Sequence, residues 1–347
     1  MEIAGRPIGP EQPPYLIAEM SANHNGSLDY ALKLVEAAAA AGADAIKLQT
    51  FTADTMTLDV DKPGFVIDDT DALWAGRKLY DLYYEGHLPW EWHAPIMARA
   101  AELGIACFSA PFDETAVDFL ESLDVPAYKI ASFELVDLPL IERVARTGKT
   151  LIMSTGMASM AEIDEAVRTA RGAGNSNIIL LKCTSTYPAT PENTNVATIP
   201  HLASAMGCQV GLSDHTMGCG VSVAAVALGA TIIEKHFILS REDGGIDSAF
   251  SMEPEELRQL REETTRAWQS VGSISYGGVK AEEASKTFRR SLYFVQDLEP
   301  GQTIGAGSVR AIRPGYGLPP KHRNEIIGRS VRDKVERGTP VSWDVLS

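Results

Sequence analysis

The 347-residue chain is 45% hydrophobic and 22% charged, a composition that excludes disorder as its main state and allows a substantial core. Lys and Arg total 31 against 46 Asp and Glu, and the formal charge of −15 argues against nucleic acid or an anionic membrane as partner. The longest apolar stretch, Val221 to Ile233, is too short to span a bilayer, and the opening MEIAGRPIGPEQPP lacks the basic-then-apolar run of a secretory signal, so a cytoplasmic location is expected.

From Tyr15 onward, short β-rich apolar runs alternate with Ala-rich segments of helical period, the pattern of parallel strands joined by crossover helices. The runs are YLIAEM, AIKLQT, IACFSA, AYKIAS, TLIMST, NIILLKCT, QVGLSD and TIIEKHF. Eight such units predict a closed (β/α)8 TIM barrel, an α/β fold; an open doubly wound sheet is the alternative, but no G-x-G-x-x-G follows the first strand. Helical patterns such as LDYALKLVEAAAAAG and MAEIDEAVRTARGAG end at glycine, as helix C-caps do. Between Phe51 and Pro89 the rhythm breaks, and DALWAGRKLYDLYYEG reads as one amphipathic inserted helix. The expected division is a catalytic barrel over residues 1–270, a Gly- and Ser-rich linker over 271–287, and a small β-rich domain over 288–347. A module that small is expected to lean on a partner surface.

Barrel enzymes build their sites at the C-terminal ends of the strands, and here nearly every run ends polar. The residues are Glu19 and Asn23, Lys47 and Gln49, Ser109, Lys129, Ser132 and Glu134, Ser154, Lys182 and Thr184, Ser213 to His215, and Glu234 to His236. Lys47, Lys129 and Lys182 sit in otherwise apolar strands, where a buried ammonium needs an anionic ligand or an internal partner such as Glu19 or Glu234. Ser213 shares parity with His215, and Glu234 with His236, so neighbouring strands can present two imidazoles to one point. Two imidazoles with open positions suit Mn2+ or Mg2+ polarising a carbonyl, whereas zinc would want a third protein ligand; one His serving as a core residue is the competing reading. His24, in SANHNGS, either joins the site or caps the next helix. The four cysteines, Cys107, Cys183, Cys208 and Cys219, form no C-x-x-C pair and read as reduced, mostly buried thiols.

The strings IAEMSANHNGS, AGADAIKLQT, YKIASFEL, STGMAS, LLKCTSTYPA, VGLSDHT and ALGATIIEKHF, in this order, resemble the sialic acid synthase family of phosphoenolpyruvate-condensing enzymes. The tail, with AIRPGYGLPP and IIGRSVRDKVERGTPV, resembles the antifreeze-like SAF domain that ends those synthases. SANHNGS, the insertion LWAGRKLYDLYYEGHLPWEWH and IDSAFSMEP resemble the branch that forms pseudaminic acid, although Gly315 and Pro319 stand where that branch shows serine and histidine.

The resemblance implies condensation of phosphoenolpyruvate with 2,4-diacetamido-2,4,6-trideoxy-L-altrose, with release of phosphate by C–O cleavage. It implies that Lys47, Lys129, Ser132, Ser154, Lys182, Thr184 and Ser213 hold phosphoenolpyruvate, and that His215 and His236 hold a divalent metal, Mn2+ with Mg2+ or Co2+ as alternatives. Glu19, Glu134, Lys129 and Asp247 are the implied catalytic residues. Gln49, Glu134, Tyr187, Phe250 and Arg313 are placed on the sugar, Arg313 from a SAF domain that covers the partner subunit's barrel in a homodimer. Other readings are a synthase for a manno-configured sugar, a binding module on an inactive barrel, and a metal-dependent aldolase using pyruvate. Likeness of the tail to antifreeze proteins does not carry ice binding, because fold does not carry function.

Overall fold

The computed structural model describes residues 1–68 and 74–347 and contains two compact units, Met1–Gly272 and Ser273–Ser347. In the first, eight parallel strands close a barrel: β1 (Tyr15–Glu19), β2 (Ala45–Thr50), β3 (Ala106–Pro111), β4 (Ala127–Ile130), β5 (Thr150–Ser154), β6 (Ile178–Cys183), β7 (Gln209–Ser213) and β8 (Ile232–His236). Neighbours in the barrel are neighbours in the chain, and β8 pairs with β1 in the register His236 to Glu19, which brings the two ends of the barrel chain together at the site. The expected closed barrel is therefore what forms. Ile17, Ile46, Phe108, Ile130, Ile152, Leu181 and Ile233 are fully buried in its wall and interior. Each such side chain contributes roughly 1.5–3 kcal/mol of burial.

The helices begin where the sequence supplies a cap. Ser27 accepts from the Tyr30 amide to open α1 (Leu28–Ala40), and Gly42 at φ +89° turns the chain out of it. Ser159 and Glu162 form a reciprocal capping box on a later helix, Met160–Gly172. Between β2 and the helix over His93–Glu102, the excursion makes a short turn of helix, α2 (Ala53–Met56), and then α3 (Leu79–Gly86). The predicted single inserted helix is thus shorter than expected. Gly76 at φ +76° and extended Lys78 delay its start to Leu79, and the Asp71–Leu73 part of the prediction lies outside the described residues. Among the described residues no helix is long and apolar enough to cross a membrane.

The second unit pairs β9 (Ser291–Phe294) with β10 (Val309–Ile312) antiparallel, with further single bridges such as Leu298 to Val335 and Val331 to Leu346. Leu292, Phe294, Leu298, Ile304, Val309, Ile326, Val331, Val335, Val341 and Leu346 form a core entirely its own. That corrects the expectation of a module with little core. Its short runs bury alternate residues inward from several turns rather than from one long sheet, so the core is invisible to simple strand counting.

Candidate active site

Side chains alternate between the two faces of each strand, and in this barrel the inward set is decided by what each reaches. Lys47 on β2 points in and forms a close ion pair with Glu19 of β1, with Glu234 of β8 3.9 Å away. Lys129 on β4 meets the same Glu234 at 3.4 Å, and Ser213 donates to Glu234 at 3.1 Å. Two ammonium groups and two carboxylates thus share one buried cluster, all at 5% exposure or less. Glu234 is the group that links both lysines, and the reading from sequence gave it only as a possible ion-pair partner. Burial opposes its charge, but Lys129 and Lys47 hold its pKa below the ordinary carboxylate value. Burial pushes Glu19 up to about 7 against the pull of Lys47. Burial likewise lowers Lys129, whereas Lys47 stays above its ordinary value because Glu19 and Glu234 outweigh its burial.

Ser154 ends β5 with a buried hydroxyl that has no protein partner among the described residues, and so do Glu134 Oε2 and Glu234 Oε2. Ser132 Oγ accepts from the Gly156 amide at 3.2 Å. A Cβ on Gly156 would fall 2.2 Å from Ser185 Oγ and 2.7 Å from Ser132 Oγ, so only glycine lets these two hydroxyls approach the end of β5.

Lys182 and Thr184 are not brought to this cluster. Lys182 Nζ donates to the Cys183 carbonyl at 2.7 Å and to Thr184 Oγ1 at 3.2 Å, and Thr184 Oγ1 donates to Asn193 O. The inward members of β6 and its extension are Cys183 and Ser185, one residue along, with sulfur and oxygen 3.8 Å apart. Ser109 faces the opposite way as well. It shares a register position with Tyr128, whose hydroxyl donates to Glu121 of an outer helix, and it bonds Thr50 behind the wall. His93 completes that network: its Nδ1 donates to Trp90 O, so Nε2 accepts from Thr50. Burial drives His93 down to about 4, which fits a neutral structural imidazole. His24 is structural too, accepting from the Gly26 amide and donating to Gly86 O, while Ser27 serves as the helix cap.

The imidazoles of His215 and His236 meet as the sequence predicts. His215 and His236 have ring centroids 5.3 Å apart. His215 Nδ1 donates to Thr184 O at 2.9 Å, which leaves Nε2 with its lone pair. His236 Nδ1 is buried without a hydrogen-bond partner, with Asp247 Oδ2 3.7 Å away. Burial, then the neighbouring positive charges, hold His236 far below the usual imidazole value, so it is the neutral form a metal binds. The donor set therefore fits a divalent ion. Among the described residues no group of three or more His, Cys, Asp or Glu is arranged to hold a metal ion. Cys183 raises His215 above its ordinary value despite burial, and when His215 is protonated its hydrogen bond and charge outweigh burial and pull the Cys183 thiol to about 7.

Above these groups opens a cavity of about 330 Å³, lined on its polar side by Ser21, Gln49, Glu134, Tyr187, His236 and Asp247. Gln49 donates to both Glu19 Oε1 and Ser21 Oγ at 3.0 Å, and Ser21 donates to Asp247 Oδ2 at 2.5 Å. Ser21, at the left-handed φ of +47°, was not singled out from sequence; its only signal was a polar residue in the SANHNGS turn. Tyr187 packs 4.5 Å from His215 and 5.2 Å from Phe250, so Phe250 and Tyr187 wall the imidazoles. Burial pushes Glu134 up to about 7, so near neutrality this carboxyl carries a proton part of the time. Arg313 follows β10 in the second unit and is exposed.

A buried carboxylate–ammonium cluster, the unpartnered Ser154 hydroxyl and two facing imidazoles stand together at the C-terminal ends of the strands. Residues 34–276 match the model of the NeuB family, and residues 289–347 match the SAF domain. The chain belongs to the NeuB family. It is 40% identical over 334 residues to a pseudaminic acid synthase of Helicobacter pylori, covering 96% of this chain and 98% of that one. An N,N'-diacetyllegionaminic acid synthase of Campylobacter jejuni is 35% identical, with 90% and 94% covered. Among solved structures, an N-acetylneuraminic acid synthetase from Leptospira borgpetersenii superposes with a TM-score of 0.73 at 30% identity, over 82% of this chain and 94% of that one.

Proposed function

We propose that the protein is a pseudaminic acid synthase, a transferase that condenses phosphoenolpyruvate with 2,4-diacetamido-2,4,6-trideoxy-L-altrose and water to give pseudaminic acid and phosphate. The observation that carries it is the pair of facing imidazoles beside the Lys47–Lys129–Ser154 cluster, in a chain similar over nearly its whole length to a pseudaminic acid synthase.

In this reading Lys47, Lys129, Ser132, Ser154 and Ser213 orient the phosphate and carboxylate of phosphoenolpyruvate. Lys182 and Thr184 are left out, because they bond each other. The electron pair of the enol double bond forms the new bond from C3 to the sugar aldehyde carbon, a water oxygen adds at C2, and phosphate leaves as its C–O bond to C2 breaks. The C2 hydroxyl gives its proton to the departing phosphate and becomes the keto oxygen, while the aldehyde oxygen ends as a hydroxyl, taking the other proton that the water gives up. Glu134, with a free Oε2 in the cavity and a pKa near neutrality, is placed to carry that proton, and Glu19, Gln49 and Asp247 form the chain that orients the sugar. A divalent ion, Mn2+ in our reading, held by His215 and His236 would supply Lewis-acid polarisation of the aldehyde.

The barrel is taken as the catalytic domain over residues 1–270, with a linker over 271–287 and the SAF domain over 288–347. A homodimer in which the partner's SAF domain brings Arg313 to the sugar is supported within each unit separately: Phe133, Val136 and Met157 are exposed on the barrel rim, and Ile274 and Tyr276 are 93% exposed in the linker. The test of function is phosphate release from phosphoenolpyruvate with Mn2+, comparing the L-altrose sugar with N-acetylmannosamine and with 2,4-diacetamido-2,4,6-trideoxymannose. Release with the altrose sugar is expected; release with a manno sugar alone would move the assignment to the neuraminate or legionaminate reaction.

A further inference from the structure

The cavity is strongly asymmetric. Its polar side is made by strand ends and the loops that directly follow them, and its other side by the excursion between β2 and the helix over His93–Glu102. That excursion contributes Phe51, Met56, Ile67, Leu79, Leu82 and Tyr83 together with Trp74 and Gly86, and its polar side-chain groups are the Tyr83 hydroxyl and the Trp74 indole N–H, the latter bonded to Ile246 O. Most solvent-exposed residues of the same segment are polar, Asp54, Asp59, Asp61 and Glu85 among them, although Leu58 and Tyr84 are exposed as well.

This wall is fixed in place. Ile67 N donates to Arg77 O at 3.0 Å and Leu79 N to Phe65 O at 2.9 Å, which clamps Ile67 beside Leu79. Lys78 pairs with Asp59 at 2.6 Å and with Asp61 at 3.0 Å. Trp74 Nε1 donates to Ile246 O at 3.0 Å, tying the excursion to the loop that carries Asp247. At the end of α3, a Cβ on Gly86 would stand 3.1 Å from Ile246 Cδ1 and 3.3 Å from Ala22 Cβ, so the helix lies directly against the barrel loops. Phe51 packs edge-on to both Tyr83 and Phe112.

We propose that this wall is a specificity element that takes the methyl end of the sugar and selects a 6-deoxy substrate over its 6-hydroxy counterpart. The inference rests on the synthase reading above. In that reading the aldehyde end of the open-chain sugar lies at His236 on the floor, and the chain rises through Gln49, Glu134 and Asp247, which serve its hydroxyl and amide groups. Its far carbon then reaches Met56, Ile67 and Leu79. A methyl there is buried with gain, whereas a hydroxyl would lose water and find no donor or acceptor on the side chains of Met56, Ile67 and Leu79. An apolar pocket rejects an isostere that merely adds a hydroxyl by about a hundred-fold.

The experiment measures kcat/KM of the full-length protein for 2,4-diacetamido-2,4,6-trideoxy-L-altrose and its 6-hydroxy analogue, and for the corresponding manno pair, with binding of each sugar measured by calorimetry. The 6-deoxy sugar is expected to be preferred by about a hundred-fold. The near-isosteric variants Met56→Gln, Ile67→Thr and Leu79→Asn, whose positions are only partly buried, are expected to cut that ratio about tenfold or more without moving the melting temperature. Activity confined to the manno pair would end the pseudaminic assignment yet leave the ratio within that pair as the test of the wall. A ratio within about twofold of unity in the series that is used, or one that none of the three variants lowers, would overturn the inference. So would tolerance of the 6-hydroxyl together with loss on replacing an acetamido by a glycolylamido group, since the wall would then hold an acetyl methyl. If no sugar of either series binds or turns over, both readings fall.

Discussion

Replacing Lys235 by methionine tests how the two imidazoles of the proposed metal site are held. Lys235 and Asp214 are both 1% exposed at the side chain and lie 3.1 Å apart on the outer side of the barrel wall, each adjacent in sequence to one of the imidazoles, His236 and His215. Asp214 also accepts from Thr216 N at 2.9 Å, Thr216 Oγ1 at 2.7 Å and Ser222 Oγ at 2.7 Å, while Lys235 donates to Thr216 O. Breaking a buried pair by removing one partner costs about 3–5 kcal/mol. The three hydrogen bonds left to Asp214 place this case near about 3 kcal/mol. At roughly 2–4 °C per kcal/mol for a unit of this size, the barrel transition should fall by about 6–12 °C. Asp214→Leu combined with Lys235→Met removes both charges and should recover at least half of that loss. Urea unfolding of the barrel gives the free energies, and Mn2+ titration of the folded single variant should show affinity weakened about tenfold, as for other groups that orient metal ligands. A Lys235→Met variant within about 1 kcal/mol of wild type, or a double variant no better than the single, would refute the reasoning.

The remaining expectations use the same geometry. His236→Ala should abolish tight Mn2+ binding, measured by calorimetry on the apo protein, while His93→Ala should lower stability and leave Mn2+ affinity unchanged, because His93 lies behind the wall. Glu134, raised by burial from 4.5 to about 7, favours its protonated form in the fold, so its contribution to stability is complete below about pH 4.5 and fades as pH rises through 7. Glu134→Gln should therefore gain melting temperature relative to wild type on going from about pH 5 to about pH 8, and a difference independent of pH would contradict this. Arg313→Ala should raise KM for the sugar with little change in that for phosphoenolpyruvate; unchanged kinetics would remove Arg313 from the sugar site.

Much of the scaffold was legible because its signals are local. Eight β-rich runs with helical patterns between them foretold the barrel, and the patterns that end at Gly42 and Gly174 do leave the helix there at positive φ, whereas the caps Ser27 and Ser159 were not singled out. His215 and His236 were found because two imidazoles at the ends of adjacent strands must lie near each other whatever the details. The residues missed or misplaced have one physical cause. Parallel barrel strands are buried on both faces, so apolar residues do not alternate with polar ones and the inward parity cannot be read off. IILLKC is buried throughout apart from its lysine, and a lysine looks like a ligand; yet Cys183 and Ser185 face inward while Lys182 turns to Thr184. Ser109, polar at a strand end, likewise faces a helix.

What the sequence determined alone is the order of elements, their caps and the polar character of the strand ends, since each depends on residues a few positions apart. Tertiary structure decided which of those polar groups meet. The pairing of Lys47 with Glu19, the sharing of Glu234 between two lysines and the apolar wall around Ile67 and Leu79 join residues far apart in the chain. Their charges, pKa shifts and contacts depend on through-space distance and burial, quantities that exist only once the barrel has closed.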